Sequence, residues 1–142
     1  MSPFAHFLRD VRIKRDLRQT QLARRLGYEP SYISALERSE KGPPRQDFVH
    51  RLIEGLDLTE GEQSELREAV IASRRQISLP PQASKLEYEL LRELEPQLGR
   101  LSPLQLHLFR LALRLPKSLD LSEVCPPQSQ SGPSEGLEVP KM

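Results

Sequence analysis

The chain has 142 residues, 37% hydrophobic and 29% charged, with a formal net charge of +1. That is room for one domain, or for a small domain with an appendage, in the composition range of a small soluble helical protein. Its single cysteine, Cys125, excludes an internal disulfide; with no apolar signal region and no run long enough to span a bilayer, a cytosolic protein is expected.

In chain order, residues Pro3 to Arg15 read as a first helix. Phe4, Phe7, Leu8, Val11 and Ile13 supply its apolar positions, and Ser2 before Pro3 is a start signal. Arg9, Arg12, Lys14 and Arg15 give it a basic outer face. Asp16 to Arg18 make a connection. From Gln19 a second helix carries Leu22, Ala23 and Leu26 on one side. Gly27 can take the positive φ that ends it. Pro30 fits the first turn of a third helix, where its missing N–H costs nothing. Ile33 and Leu36 turn that helix inward, and Ser31, Tyr32, Ser34, Ala35 and Arg38 are expected to face outward.

Ser39 to Arg45 is a loop, because Gly42-Pro43-Pro44 stops any helix. Gln46 to Leu56 is a fourth helix with a broad stripe of Phe48, Val49, Leu52, Ile53 and Leu56, which should close a core over the first three. Thr59-Glu60-Gly61-Glu62 is a capping box that opens a fifth helix. Leu66, Ala69 and Val70 form its inner face, and Arg74 and Arg75 suit its C-terminal end.

The second and third helices, with the turn between them, resemble the lambda-repressor/Cro-type (XRE family) helix-turn-helix. The matching residues are Gln19, Leu22-Ala23, Leu26-Gly27, Ile33-Ser34, Leu36-Glu37 and Pro44. The sequence departs from the family pattern at Glu29, where Ser or Thr usually caps, and at Ser39, where glycine is frequent. The resemblance covers about the first half of the chain and implies an all-α fold: a five-helix lambda-repressor-like DNA-binding domain over residues 3–77. It implies double-stranded DNA as partner, with the third helix in the major groove. By register it places Gln19 against a phosphate and Pro30, Ser31, Ser34 and Ala35 at base edges, with Tyr32 near the backbone. Lys41 and Arg45 would ride the phosphates from the loop. Thr20, Gln21 and Arg38 complete the candidate DNA-contact set. Glu37 is expected to be structural, bonding the loop backbone. The base-reading positions are poor in the Asn, Gln, Arg and Lys that make strong direct contacts, so part of the specificity is expected from Arg38, Tyr32 and DNA shape. Tyr32 could equally pack over the second helix, and Arg24 and Arg25 could reach phosphate or lie on a solvated face.

Charge is distributed to match. Through Arg51 there are eleven Lys and Arg against six Asp and Glu; from Leu52 to Ile77 there are three against six; from Ser78 onward there are seven against eight. A phosphate-facing domain with a separate partner surface would have this asymmetry, as would an ordinary mixed surface.

Residues 78–83 read as a linker. Beyond them Leu86, Leu90, Leu91 and Leu94 are at helical spacing, until Pro96 breaks or kinks the segment. Ser102-Pro103-Leu104-Gln105 signals a new helix start, followed by Leu104, Leu108, Leu111 and Leu115. Phe109 and Ala112 widen that stripe, and Pro116 ends it. Residues 84–117 are therefore a two-helix region for dimerisation or a protein partner, with Leu90, Leu94, Leu104, Leu108, Leu111 and Leu115 as the contact set. Homodimerisation, an intramolecular cap and a different protein partner are the three readings. Residues 118–142, rich in Pro, Ser, Gln and Gly, read as a disordered tail.

The inventory argues against catalysis. His6, His50 and His107 are on separate helices without metal-ligand spacing, Cys125 has no nearby base, and no glycine-rich phosphate loop occurs. No cofactor or metal is expected. The functional expectation is a dimeric DNA-binding repressor acting at a palindromic operator, with its own promoter as a candidate site. The alternative is an antitoxin or adaptor whose leucine helices hold another protein.

Overall fold

The computed structural model describes residues 1–117; the expected tail, and Cys125 within it, lie outside the described residues. The described residues are all helical, with seven α-helices and one 3₁₀ turn, none long and apolar enough to cross a membrane. The described residues divide into two units, residues 1–81 and 82–117.

The first unit holds α1 (Pro3–Lys14), α2 (Gln19–Leu26), α3 (Pro30–Glu37), α4 (Gln46–Leu56) and α5 (Glu60–Ala72). Local chemistry sets the ends of these helices. Ser2 caps α1, its hydroxyl accepting from the Ala5 N–H, with Pro3 in the first turn. The α2 helix ends on Gly27 at φ 75°, a left-handed conformation that costs glycine nothing. At Gly27 a Cβ would also come within 3.3 Å of the Arg51 guanidinium. Pro30 opens α3, and Glu29 before it makes no side-chain capping bond. Ser39 has φ 59°, so the serine adopts after α3 the conformation for which glycine is favoured. Thr59 and Glu62 form the expected reciprocal capping box of α5.

These helices converge on one core. Phe4, Leu8, Leu22, Ile33, Leu36, Phe48, Leu52 and Leu66 are fully buried, each contributing about 1.5–3 kcal/mol through removal from water. The α1 helix packs on α5 and α3, and α2 packs on α3 and α4. Ser73 completes the closure: its hydroxyl accepts from the Phe4 N–H at 2.9 Å and donates to the Ala69 carbonyl at 2.7 Å. An otherwise orphaned donor in the first turn of α1 is thus satisfied by the residue that ends α5.

Three expectations need correction. Ile13 is exposed rather than part of the core, because the apolar arc of α1 is complete at Phe4, Phe7, Leu8 and Val11. Arg12 and Arg15 do not belong to a solvated basic face: Arg12 turns in to Glu37, and Arg15 to Glu62 and the Leu56 carbonyl. Ala35 is not outward but buried, its carbonyl accepting from the Glu40 N–H at 3.0 Å where the chain folds back after α3.

Glu62 has a consequence for acid stability. Its carboxylate takes hydrogen bonds from Arg15, from the Thr59 N–H and from Lys14, which together lower its pKa from 4.5 to about 2, the Arg15 bond being the largest cause. The folded state therefore binds this proton more weakly than the unfolded chain does. The stabilisation is complete above pH 4.5 and is lost as pH falls from there toward 2. Glu62→Gln keeps an oxygen for the Thr59 N–H but removes the titration. In thermal melts from pH 7 to pH 2, the variant should start less stable than the parent and lose less below pH 4.5. Parallel acid limbs for the two proteins would exclude this role.

The second unit contains α6 (Lys85–Leu94), a 3₁₀ turn at Glu95–Gln97 and α7 (Pro103–Leu113). Both helices have serine capping boxes, Ser84 with Glu87 and Ser102 with Gln105. Pro96 does not permit α6 to continue, and the chain tightens into the 3₁₀ turn there. No residue of α6 or α7 is buried.

Candidate nucleic-acid interface

A glycine turn sets α2 against α3, and the core fixes their inner faces through Leu22, Ala23, Leu26, Ile33 and Leu36. What remains outward on the first turns of α3 is Pro30 and Ser31, both exposed, with Ser34 half-buried. This is a narrow, small-residue surface at a helix N-terminus, where the backbone dipole is positive. Arg38 follows, exposed and paired with Glu40 at 2.9 Å. The loop after it holds Lys41, and the residue before α4 is Arg45, both exposed. The three cations therefore follow the serine face directly in sequence, from the end of α3 to the start of α4.

Tyr32 links these parts. Its ring stacks on Tyr28 with centroids 5.2 Å apart and meets Phe48 edge-on at 5.7 Å. The Lys41 ammonium is 5.0 Å from the Tyr32 ring centroid, and the Arg51 guanidinium 5.1 Å from that of Tyr28. Both contacts fall within cation–π range. Burial raises the Tyr32 pKa above its ordinary 10.0, as does Tyr28, while Arg45 opposes them. The phenol accordingly keeps its proton at neutral pH and can donate it. Packing and an available O–H coexist in this side chain, because the ring body is covered while the residue stays half-exposed.

The α2 candidates are differently placed. The Gln19 amide donates to Glu37 Oε2 at 2.8 Å, so its side chain is held inside. Gln21 reaches back to the Arg18 N–H at 2.8 Å and caps its own helix. Thr20 is exposed with its side chain free of hydrogen bonds among the described residues. Ala35, 8% exposed, has little surface to offer a base. A recess lined by Met1, Arg9, Arg12, Gln19, Glu37 and Arg38 opens at the first residue of α2, with three cations against one carboxylate.

Glu37 is structural, but not through the loop backbone. Its buried carboxylate accepts from Arg12 Nε at 2.6 Å, from Arg12 Nη2 at 3.0 Å and from Gln19. Arg12 also donates to the Leu17 carbonyl at 2.8 Å. One cluster thereby ties α1, the start of α2 and the end of α3 together. The sequence reading missed this cluster, since helical spacing does not say which long arginine turns inward. It also missed Tyr28, which lies in the turn between α2 and α3, where helical spacing gives no sign of its stacking on Tyr32.

A family model described as a helix-turn-helix domain matches residues 3–76, which span all five helices of the first unit and end shortly beyond Ser73. No curated protein and no solved structure matches the chain. With more than half of its length matched by that model, the chain belongs to the helix-turn-helix domain family.

Proposed function

We propose that the chain is a sequence-specific DNA-binding transcriptional regulator, a dimeric repressor that occupies a palindromic operator. The observation that carries this is the exposed Pro30–Ser31 turn of α3, followed by Arg38, Lys41 and Arg45, within a helix-turn-helix domain. In this reading α3 enters the major groove with its N-terminal turns foremost. Ser31 and Ser34 make weak base contacts, and Pro30 meets a thymine methyl. Lys41 and Arg45 neutralise phosphates, with Tyr32 donating its O–H to the backbone beside them. The recess at Gln19 takes a further phosphate through Arg9 and Arg38. A dimer would present two α3 helices to half-sites roughly 34–36 Å apart.

The test is binding to the DNA upstream of the coding region against random DNA, titrated with salt. Specific binding should reach about 10⁻⁸ M or tighter, at least about a thousandfold beyond random DNA. Lys41→Ala and Arg45→Ala should each weaken both kinds of binding and reduce the salt slope by about one. Ser31→Ala with Ser34→Ala should relax discrimination while leaving the salt slope unchanged. Full discrimination in that double variant would remove the serines as readers, and indifferent, salt-sensitive binding by the parent would reject the operator reading.

A second reading rests on the exposed leucines of α6 and α7: an antitoxin or adaptor that grips a different protein. A purified monomer that binds DNA only weakly would favour it over the dimeric repressor.

A further inference from the structure

The two helices of the second unit are unusual in what they leave uncovered. On α6, Leu86, Leu90 and Leu94 follow at four-residue spacing, with Leu86 68% exposed. On α7, Leu104, Leu108 and Leu111 form one stripe, with Leu104 67% exposed and Leu115 exposed two residues beyond its end, while Leu106, Phe109 and Leu113 are exposed on its other sides. A helix with apolar side chains on more than one side needs more than one neighbour to cover it. One companion helix cannot surround it, so the described helices of the unit leave apolar surface for a further partner to cover.

Charge indicates which helices these are. Residues 84–97 carry four carboxylates against two cations, and residues 98–117 carry four cations and no carboxylate. The charges border the apolar stripes. Glu89 and Glu93 each precede a stripe leucine of α6, and at 100° per residue they line one edge of it. His107, Arg110 and Arg114 line an edge of the α7 stripe in the same way. Pairing α6 with a second α6 would set carboxylate rows together, and pairing α7 with α7 would set cation rows together, both disfavoured. Pairing α6 with α7 satisfies both rows. A unit that carries both halves is self-complementary about a two-fold axis.

We infer that the second unit is closed by a second copy of this chain, with α6 of each protomer seated on α7 of the other in a four-helix bundle. This rests on the dimeric reading above and specifies how the dimer is built. Each α7 is then covered on more than one side, as bundle packing requires. The partner is another copy of the same surface, because a second copy presents the two rows in the opposite order.

Charge reversal on the full-length chain tests the pairing, with mass read by sedimentation equilibrium. Glu89→Lys with Glu93→Lys makes both helices of the unit cationic, and Arg110→Glu with Arg114→Glu makes both acidic. Each variant alone should self-associate at least about tenfold more weakly than the parent. Mixed one to one, they should recover a dimer of parental affinity, because each variant supplies the row the other lacks. Recovery on mixing also shows that neither variant has merely lost its helices. A chain carrying all four substitutions should dimerise by itself. If that chain dimerises but the mixture does not, α6 pairs with α7 of its own chain and the inference fails. If the single-helix variants dimerise like the parent, the dimer stands but is not built this way. A parent that is monomeric throughout would end both the inference and the dimeric reading.

Discussion

Arg12→Met should destabilise the first unit by about 3–5 kcal/mol, the range for removing one partner of a buried ion pair. Glu37 is only 6% exposed, and Arg12 supplies two of the three hydrogen bonds to its carboxylate. Without the guanidinium a buried negative charge is left with the Gln19 amide alone, and the Leu17 carbonyl loses its donor. Methionine keeps much of the arginine stem's volume, so the loss reports charge and hydrogen bonding rather than a cavity. Urea unfolding would measure it. The companion variant Arg12→Met with Glu37→Leu should recover most of the loss, since removing both charges removes the uncompensated one. A cost below about 1 kcal/mol for the single change would put this cluster in the class of solvated surface pairs.

Phe48→Ala should cost a similar 3–5 kcal/mol, by a different route. The Phe48 ring is buried between Phe4 at 6.2 Å, Tyr28 at 5.1 Å and Tyr32 at 5.7 Å. Truncation loses the ring's burial, leaves a cavity, and removes three aromatic contacts worth about 0.5–1.5 kcal/mol each. Small domains have total stabilities of about 5–15 kcal/mol, so the variant should lose a large share of its stability and melt at a clearly lower temperature. DNA binding should fall with it, because Tyr32 and Lys41 are positioned from the same ring. The chain has no tryptophan, and of its three tyrosines Tyr28 and Tyr32 touch Phe48, so tyrosine fluorescence follows this cluster directly. Phe48→Leu should retain most of the stability; an equal loss in both variants would mean that the aromatic contacts themselves dominate.

The five-helix unit was largely legible because its boundaries are local. Ser2-Pro3, Gly27, Pro30 and Thr59-Glu62 each act within a few residues, and the structure uses each of them as the sequence suggests. The apolar stripes were legible for the same reason, with Ile13 the exception. What the sequence did not disclose is tertiary. Arg12 and Arg15 look like solvent-facing cations until α3 and α5 bring carboxylates to them. Gln19 gives no sign in the sequence of the bond it makes to Glu37. Ala35 looks like part of an outward face until the chain after α3 folds over it. Small and long side chains fit either side of a helix, so periodicity alone does not assign them. The exposure of the candidate DNA-reading surface was legible at Pro30 and Ser31, where the helix N-terminus settles the direction, and less so at Tyr32, whose ring is met edge-on by Phe48 sixteen positions later.

The hydroxyl of Ser73 that receives the Phe4 N–H has a bearing on synthesis. The α1 helix is completed by a residue 69 positions downstream, which is made later. Until that residue and the preceding turns of α5 have emerged, α1 has neither its last hydrogen-bond partner nor one of the helices it packs on. Contacts of such large sequence separation form late, after the chain between them has closed. At about 5–20 residues per second of translation, the earlier helices are exposed for several seconds as a nascent chain before the unit can close, and any fragment ending before Ser73 would remain in that open state.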